Sequence, residues 1–237
     1  MLLTVRAKSG IVVYERPDLF ESLTFINQNH ALKGESLMKT VNKKLLAVAV
    51  AGVLGMSAVP AMADGVSANV GFVSDYVWRG VTQNNSNPAI QGGFDYASGD
   101  ASVGIWGSSI STGAEIDLYG AYSFGPVSVG AIYYYYPEAG GSFYEVNVGG
   151  DVGPVSLKAS YSPDVGGVAT TYVEAGYSFE MTKGVSLDLH AGSYTDPSLY
   201  DYSIGVSGSA GGFDLGVTAT GLQDGDSKAF VSVSKSI

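Results

Sequence analysis

The stretch Ala114–Tyr136, AEIDLYGAYSFGPVSVGAIYYYY, decides how this chain is read. Ala114, Ile116, Leu118, Gly120, Tyr122 and Phe124 share one face of an extended strand, while Glu115, Asp117, Tyr119, Ala121 and Ser123 share the other. Alternation with a period of two sets a strand between two different environments. Gly125-Pro126 interrupts the run, because Pro has no N–H to donate and Gly accepts tight backbone geometry. Val127, Val129, Ala131, Tyr133 and Tyr135 then carry the apolar face back, so the unit is an antiparallel hairpin. Each arm has about ten residues, the length a tilted strand needs to cross a bilayer.

The same unit recurs on both sides. Upstream, strands are expected over Val66–Val81, Pro88–Ala97 and Ala101–Ile110; downstream, over Ser142–Val152, Val155–Ser162, Thr170–Glu180 and Val185–Tyr194. Tyr200–Ser209, Phe213–Gly221 and Lys228–Ile237 complete the set, with a second Gly-Pro turn at Gly153-Pro154 and a Gly-rich loop at Pro163–Ala169. With the two arms of the central hairpin this makes twelve strands, ten or fourteen if one pair merges or splits. The fold class is all-β, and the even count with tight turns on one rim predicts a closed antiparallel transmembrane β-barrel.

Composition agrees. The 237 residues include 33 Gly and 16 Tyr, and only 14% are charged, as suits short alternating strands. Zero Cys excludes a disulfide-stapled fold and an acylated lipoprotein.

Residues 38–63, MKTVNKKLLAVAVAGVLGMSAVPAMA, read as a Sec-type signal peptide. Lys39, Lys43 and Lys44 form its basic region, Leu45–Met56 its apolar core, and Ala61-Met62-Ala63 the small residues before a cleavage at Asp64. The apolar core is too short for a spanning helix. Residues 1–37 are read as a disordered extension from a start codon assigned too early, with translation beginning at Met38. The barrel is therefore expected over 64–237, which holds five Lys/Arg against 18 Asp/Glu. So acidic a balance argues against nucleic acid as a partner.

The distribution of charge separates a membrane barrel from a soluble sandwich. Of fourteen charged residues placed in strands, thirteen fall opposite the more apolar face. Eleven of them, Asp75, Arg79, Asp95, Glu115, Asp117, Glu145, Lys158, Glu174, Asp188, Asp201 and Asp214, together with His190, are the candidate lumen-lining charged residues; Asp151 and Glu180 are the other two. Lys235, near a strand end, is the exception, and its amine can reach the interface. A charge facing lipid costs up to about 2–4 kcal/mol at mid-bilayer, whereas a wet lumen tolerates it. In a soluble sandwich the charges would instead face bulk water around a dry core. Outward aromatics are expected in two girdles. Tyr76, Trp78, Tyr133, Tyr135, Tyr144 and Tyr161 make one, on the loop rim; Tyr96, Tyr122, Phe124, Tyr177, Phe179 and Phe213 make the other, on the turn rim.

Three blocks carry a resemblance: Ser74-Asp75-Tyr76-Val77-Trp78-Arg79-Gly80, Pro88-Ala89-Ile90-Gln91-Gly92-Gly93-Phe94-Asp95-Tyr96, and Gly104-Ile105-Trp106-Gly107-Ser108. In order and spacing they resemble the TorF family of porins of the proteobacterial outer membrane. The likeness extends through Tyr135-Tyr136-Pro137 to the terminal strand. The resemblance implies an outer-membrane barrel acting as a diffusion channel, with outer-membrane lipid around it and the barrel-assembly machinery reading its last strand. Such barrels usually finish on an aromatic residue, whereas this chain finishes on Ile237.

Other chemistry is weakly supported. Asp188 and His190 share a strand face and could be drawn with a Ser as a hydrolase site, but no Gly-x-Ser-x-Gly elbow occurs. Asp224-Gly225-Asp226-Ser227 lacks the downstream Glu of a calcium loop, and no phosphate-binding fingerprint is present. Neither a metal nor a cofactor is expected, and the chain does not read as an enzyme. Asp75 and Arg79 would stand roughly 13 Å apart along one strand, too far to pair directly unless the backbone bends or bulges, so neighbouring strands are expected to supply their partners. The functional expectation is passive diffusion of small hydrophilic solutes with mild cation selectivity, since a net-negative lumen enriches cations. A closed structural or surface-interaction barrel is the alternative, because inward Trp106, Tyr134, Tyr136, Tyr172 and Phe230 could fill the bore.

Expressed in a Gram-negative host, the exported protein should begin at Asp64 by N-terminal sequencing; a mature product retaining residues upstream of Ala63 would overturn the cleavage assignment.

Overall fold

The computed structural model describes residues 64–195 and 198–237. The readings of residues 1–37 and 38–63 concern segments outside these.

Twelve strands form one closed antiparallel barrel. In chain order they are β1 (Gly65–Val73), β4 (Ala89–Ser98), β5 (Ala101–Ile110), β6 (Gly113–Phe124), β7 (Val127–Tyr136), β8 (Gly141–Val152), β9 (Val155–Val165), β10 (Val168–Thr182), β11 (Val185–Thr195), β12 (Ser198–Ala210), β13 (Phe213–Leu222) and β14 (Lys228–Ser236). Two short strands, β2 (Val77–Trp78) and β3 (Val81–Thr82), pair with each other as a separate two-stranded ribbon.

Each wall strand pairs with its chain neighbour, and β1 meets both β4 and β14. The closing pair runs from Asn69 opposite Ser236 to Val73 opposite Ser232. It is extended by two backbone bonds, Ala68 N–H to the Ile237 carbonyl at 3.1 Å and Ile237 N–H to the Ala68 carbonyl at 2.8 Å.

Alternation sets the two faces. On β6 Leu118 is 51% exposed, while Glu115 and Asp117 are each 3% exposed. The same split runs round the wall: Phe94, Ile105, Val146, Leu157, Val173, Leu189, Ile204, Val217 and Val231 all face out. Among the strand charges Lys235 faces out, its amine over the Phe213 ring at 5.3 Å.

Turns follow local chemistry. At Gly125-Pro126 and Gly153-Pro154 the glycines have φ of 65° and 63°, a left-handed conformation at the first central position that matches the twist of a hairpin. Gly166 and Gly167, with φ of 62° and 90°, turn β9 directly into β10. Most of the loop expected at Pro163–Ala169 is therefore strand.

The first strand also departs from expectation. Val66–Val81 is not a single strand, because β1 stops at Val73. The Ser74 N–H donates to the Val231 carbonyl and its hydroxyl accepts the Val231 N–H, both at 2.9 Å. Beyond this clamp the chain leaves the wall and folds inward as the β2–β3 ribbon. Tyr76, 6% exposed, and Trp78, packed on three buried clusters, are thus interior residues and not members of an outer girdle. Tyr133, Tyr135, Tyr144 and Tyr161 do face out near that rim.

Candidate functional site

The inward ribbon organises the bore. Its tip is Trp78-Arg79-Gly80-Val81, with φ of 46° at Arg79 and 79° at Gly80, so both central residues are left-handed as a two-residue hairpin turn requires. Gly enters that region freely; Arg does so at a cost of roughly 1–2 kcal/mol. Contacts of the Arg79 side chain offset it. The guanidinium donates to Glu145 on β8 at 2.7 Å and to the Tyr194 hydroxyl on β11 at 3.3 Å. It also lies over the rings of Tyr172, Trp78 and Tyr194, 4.1, 4.7 and 5.8 Å from their centroids. A charge-assisted bond plus cation–π stacking suits the flat, weakly hydrated guanidinium.

The base of the ribbon is tied as firmly. Thr82 Oγ1 donates to Asp75 at 2.5 Å and accepts the Ser86 N–H at 2.7 Å. The Gln83 N–H reaches the Tyr76 carbonyl at 2.6 Å, and the Gln83 carbonyl accepts the Ser111 N–H at 3.0 Å. Around the tip, Tyr76 meets Trp106 edge-on at 5.6 Å, Trp78 packs on Tyr134 at 5.7 Å, and Tyr134 stacks on Phe143 at 4.5 Å. Trp78 thereby joins the three buried clusters of the barrel interior. Aromatic side chains fill the loop-side half of the bore. The turn-side half is lined by small residues, including Gly130, Gly205, Gly216, Ser207 and Thr218, with the charged Asp95, Lys158, Asp188 and Asp214 among them.

The charged candidates sort by partner. Asp75, Arg79, Glu115, Asp117, Glu145, Asp188, His190 and Asp201 are buried, and Asp95, Lys158, Glu174 and Asp214 half-buried. Glu115 accepts the Tyr136 hydroxyl at 2.9 Å, Asp95 that of Tyr119, and Asp214 that of Ser209. Asp188 takes hydroxyls from Ser178 and Ser207, each at 2.6 Å. Lys158 pairs with Glu174 at 2.7 Å. The His190 ring lies 3.2 Å from Asp201, 3.3 Å from the Tyr172 hydroxyl and 3.8 Å from Glu174, and Tyr172 donates to Asp201 at 2.7 Å. These contacts join His190 to two carboxylates and a phenol, while Asp188 accepts from serine hydroxyls on the two strands that flank it.

Glu115, Asp117 and Glu145 are the acids with spare acceptor capacity. Each is 3% exposed, and Glu115 Oε2, Asp117 Oδ1 and Glu145 Oε1 have no hydrogen-bond partner among the described residues. No group of three or more His, Asp or Glu among the described residues is placed to hold a metal ion.

Sequence reasoning missed two kinds of contact. Arg79 and Glu145 are 66 positions apart, and only the closed barrel shows that they meet across the bore. The tyrosines that bond the acids, Tyr119, Tyr136 and Tyr172, and Tyr194, which accepts from Arg79, give no signal beyond their inward register. Glycine does carry one. A Cβ at Gly104 would run into the Tyr119 ring, and one at Gly192 into the Tyr172 hydroxyl.

Fold and interior together define a closed twelve-stranded antiparallel barrel, apolar outside and lined by charged and aromatic groups within. The chain belongs to the family described as bacterial protein of unknown function (Gcw_chp), which matches residues 57–236. No curated protein matches it. Among solved structures, it is similar to a chain from work on the in-meso crystallisation of membrane proteins, at 8% identity and a TM-score of 0.52, covering 73% of this chain and 83% of that one. At such identity the likeness shows the fold alone. A NanC porin structure follows at 9% identity and a TM-score of 0.43, covering 72% and 98%. A mutant of the Rh. blastica porin stands at 10% and 0.41, covering 63% of this chain and 55% of that one.

Gly192→Ala should displace Tyr172 from Asp201 and from Arg79, and lower stability by about 1–3 kcal/mol. Thermal unfolding in detergent reads this out; an unchanged midpoint would contradict the packing.

Proposed function

We propose that the chain is a porin-like channel of the bacterial outer membrane, for passive diffusion of small hydrophilic solutes with a mild preference for cations. One observation carries the reading: apolar side chains face out from all twelve wall strands, while the acids sit inside. Strands of 9–15 residues are long enough to cross a bilayer when tilted. Closure leaves no edge to be satisfied in hydrocarbon. The signal peptide read at 38–63 and the resemblance to the TorF family point to the same compartment. On this reading β14, followed by Ile237, is the strand offered to the assembly machinery, and lipid is the partner of the outer face. Cation preference rests on the balance of inward charge, Asp75, Asp95, Glu115, Asp117, Glu145, Glu174, Asp188, Asp201 and Asp214 against Arg79 and Lys158, since a net-negative bore enriches cations.

A second reading, a closed structural barrel without conductance, is favoured by the ribbon, which packs aromatic side chains across half of the interior. Planar-bilayer recording separates the two. Discrete current steps, with a reversal potential in asymmetric KCl on the potassium side, are expected. A silent bilayer would favour the closed barrel, and a reversal on the chloride side would refute the charge argument.

A further inference from the structure

Arg79 and the groups that hold it belong to different parts of the molecule. Arg79 sits on a ribbon whose two strands pair only with each other. Glu145, Tyr172 and Tyr194 project from the wall strands β8, β10 and β11. Without the ribbon, the wall would still present a carboxylate, a ring face and a phenol oxygen around one point in the bore. That set is specific in its chemistry. The carboxylate asks for a positive charge with N–H groups, and the Tyr172 ring 4.1 Å away asks for a flat one. An ammonium could satisfy Glu145 but would not stack as a plane. Glu145 is itself 3% exposed, and one of its oxygens has no partner among the described residues even with Arg79 in place, so the site retains acceptor capacity toward a cation with several donors.

The occupant is held under tension. Arg79 takes up left-handed backbone geometry to deliver its side chain, an arrangement that favours glycine. A free ligand would reach the same contacts without that constraint.

We propose that Glu145, Tyr172 and Tyr194 form a binding site for guanidinium-bearing solutes, in which Arg79 is a tethered occupant that such a solute displaces, releasing the ribbon from the bore. A tethered group competes at an effective concentration of order millimolar or above, so displacement needs solute in that range. The binding step stands apart from the channel reading; only the consequence for permeation rests on it.

The test uses barrel 64–237 refolded in detergent, with methylguanidinium chloride as the probe and sodium chloride at equal ionic strength as the reference. Isothermal titration should show saturable binding to Arg79→Ala, at least tenfold weaker binding to the wild type, and none to the Arg79→Ala/Glu145→Gln double variant. Absence of binding to Arg79→Ala, or equal binding to the double variant, would overturn the site. Should Arg79→Ala fail to fold, Arg79→Lys serves: it keeps a cation at Glu145 without the planar stack, and methylguanidinium should displace it at lower concentration than from the wild type. Equal competition would overturn the proposal. In bilayers, millimolar methylguanidinium should raise wild-type conductance above the sodium reference. A conducting barrel indifferent to it would overturn the release step alone, and a silent barrel that still binds it would overturn the channel reading while supporting the site.

Discussion

The structure depends on β1 being shared. Its residues pair with β4 on one side and with β14 on the other, so the sheet has no first or last strand. An open sheet of this composition would leave a row of unsatisfied N–H and C=O groups along each edge, each worth several kcal/mol in an apolar surrounding. It would also present an apolar face too large for water to tolerate. Closure removes the edge penalty, leaves the apolar face outside and creates an inside, and every acid, tyrosine and glycine of the interior acquires its meaning from that.

The same strand shows how the bore is built. Ser74 ends β1 against Val231, and from there the chain is free to turn inward. The ribbon then crosses to the far wall, where Arg79 meets Glu145 and the tyrosines. Its Asp75–Thr82 bond and its backbone bonds make it a compact unit in its own right. A wall that needs closure and a bore that needs an occupant are thus met by one continuous stretch, Gly65–Thr82.

How much could be read beforehand follows from which interactions are local. The two faces of Ala114–Phe124 were legible because alternation is a property of neighbouring residues, and Gly125-Pro126 marked its turn for the same reason. Twelve strands followed from repeating that reasoning. The error at Val66–Val81 has an equally local origin: Phe72, Tyr76 and Trp78 keep the period of two, which is the same in a wall strand and in a ribbon within the bore. Arg79-Gly80, the pair that takes up positive φ at the hairpin tip, was the available sign of the turn. The pairing Arg79–Glu145 was not legible, since register along a strand says nothing of which groups meet across a cylinder, and Tyr172–Asp201 was not, since the two stand on strands that flank β11 without pairing with each other.

The most direct test of the account is the sidedness of the wall, and the absence of Cys makes it simple to perform. Single cysteines placed in turn from Glu115 to Phe124 and carrying a nitroxide should, in lipid vesicles, alternate in relaxation by oxygen. Positions 116, 118, 120 and 122 should be strongly relaxed as residues in hydrocarbon, and 115, 117, 119 and 121 weakly. Loss of the alternation, or its inversion with 117 in lipid and 118 shielded, would contradict the barrel as described.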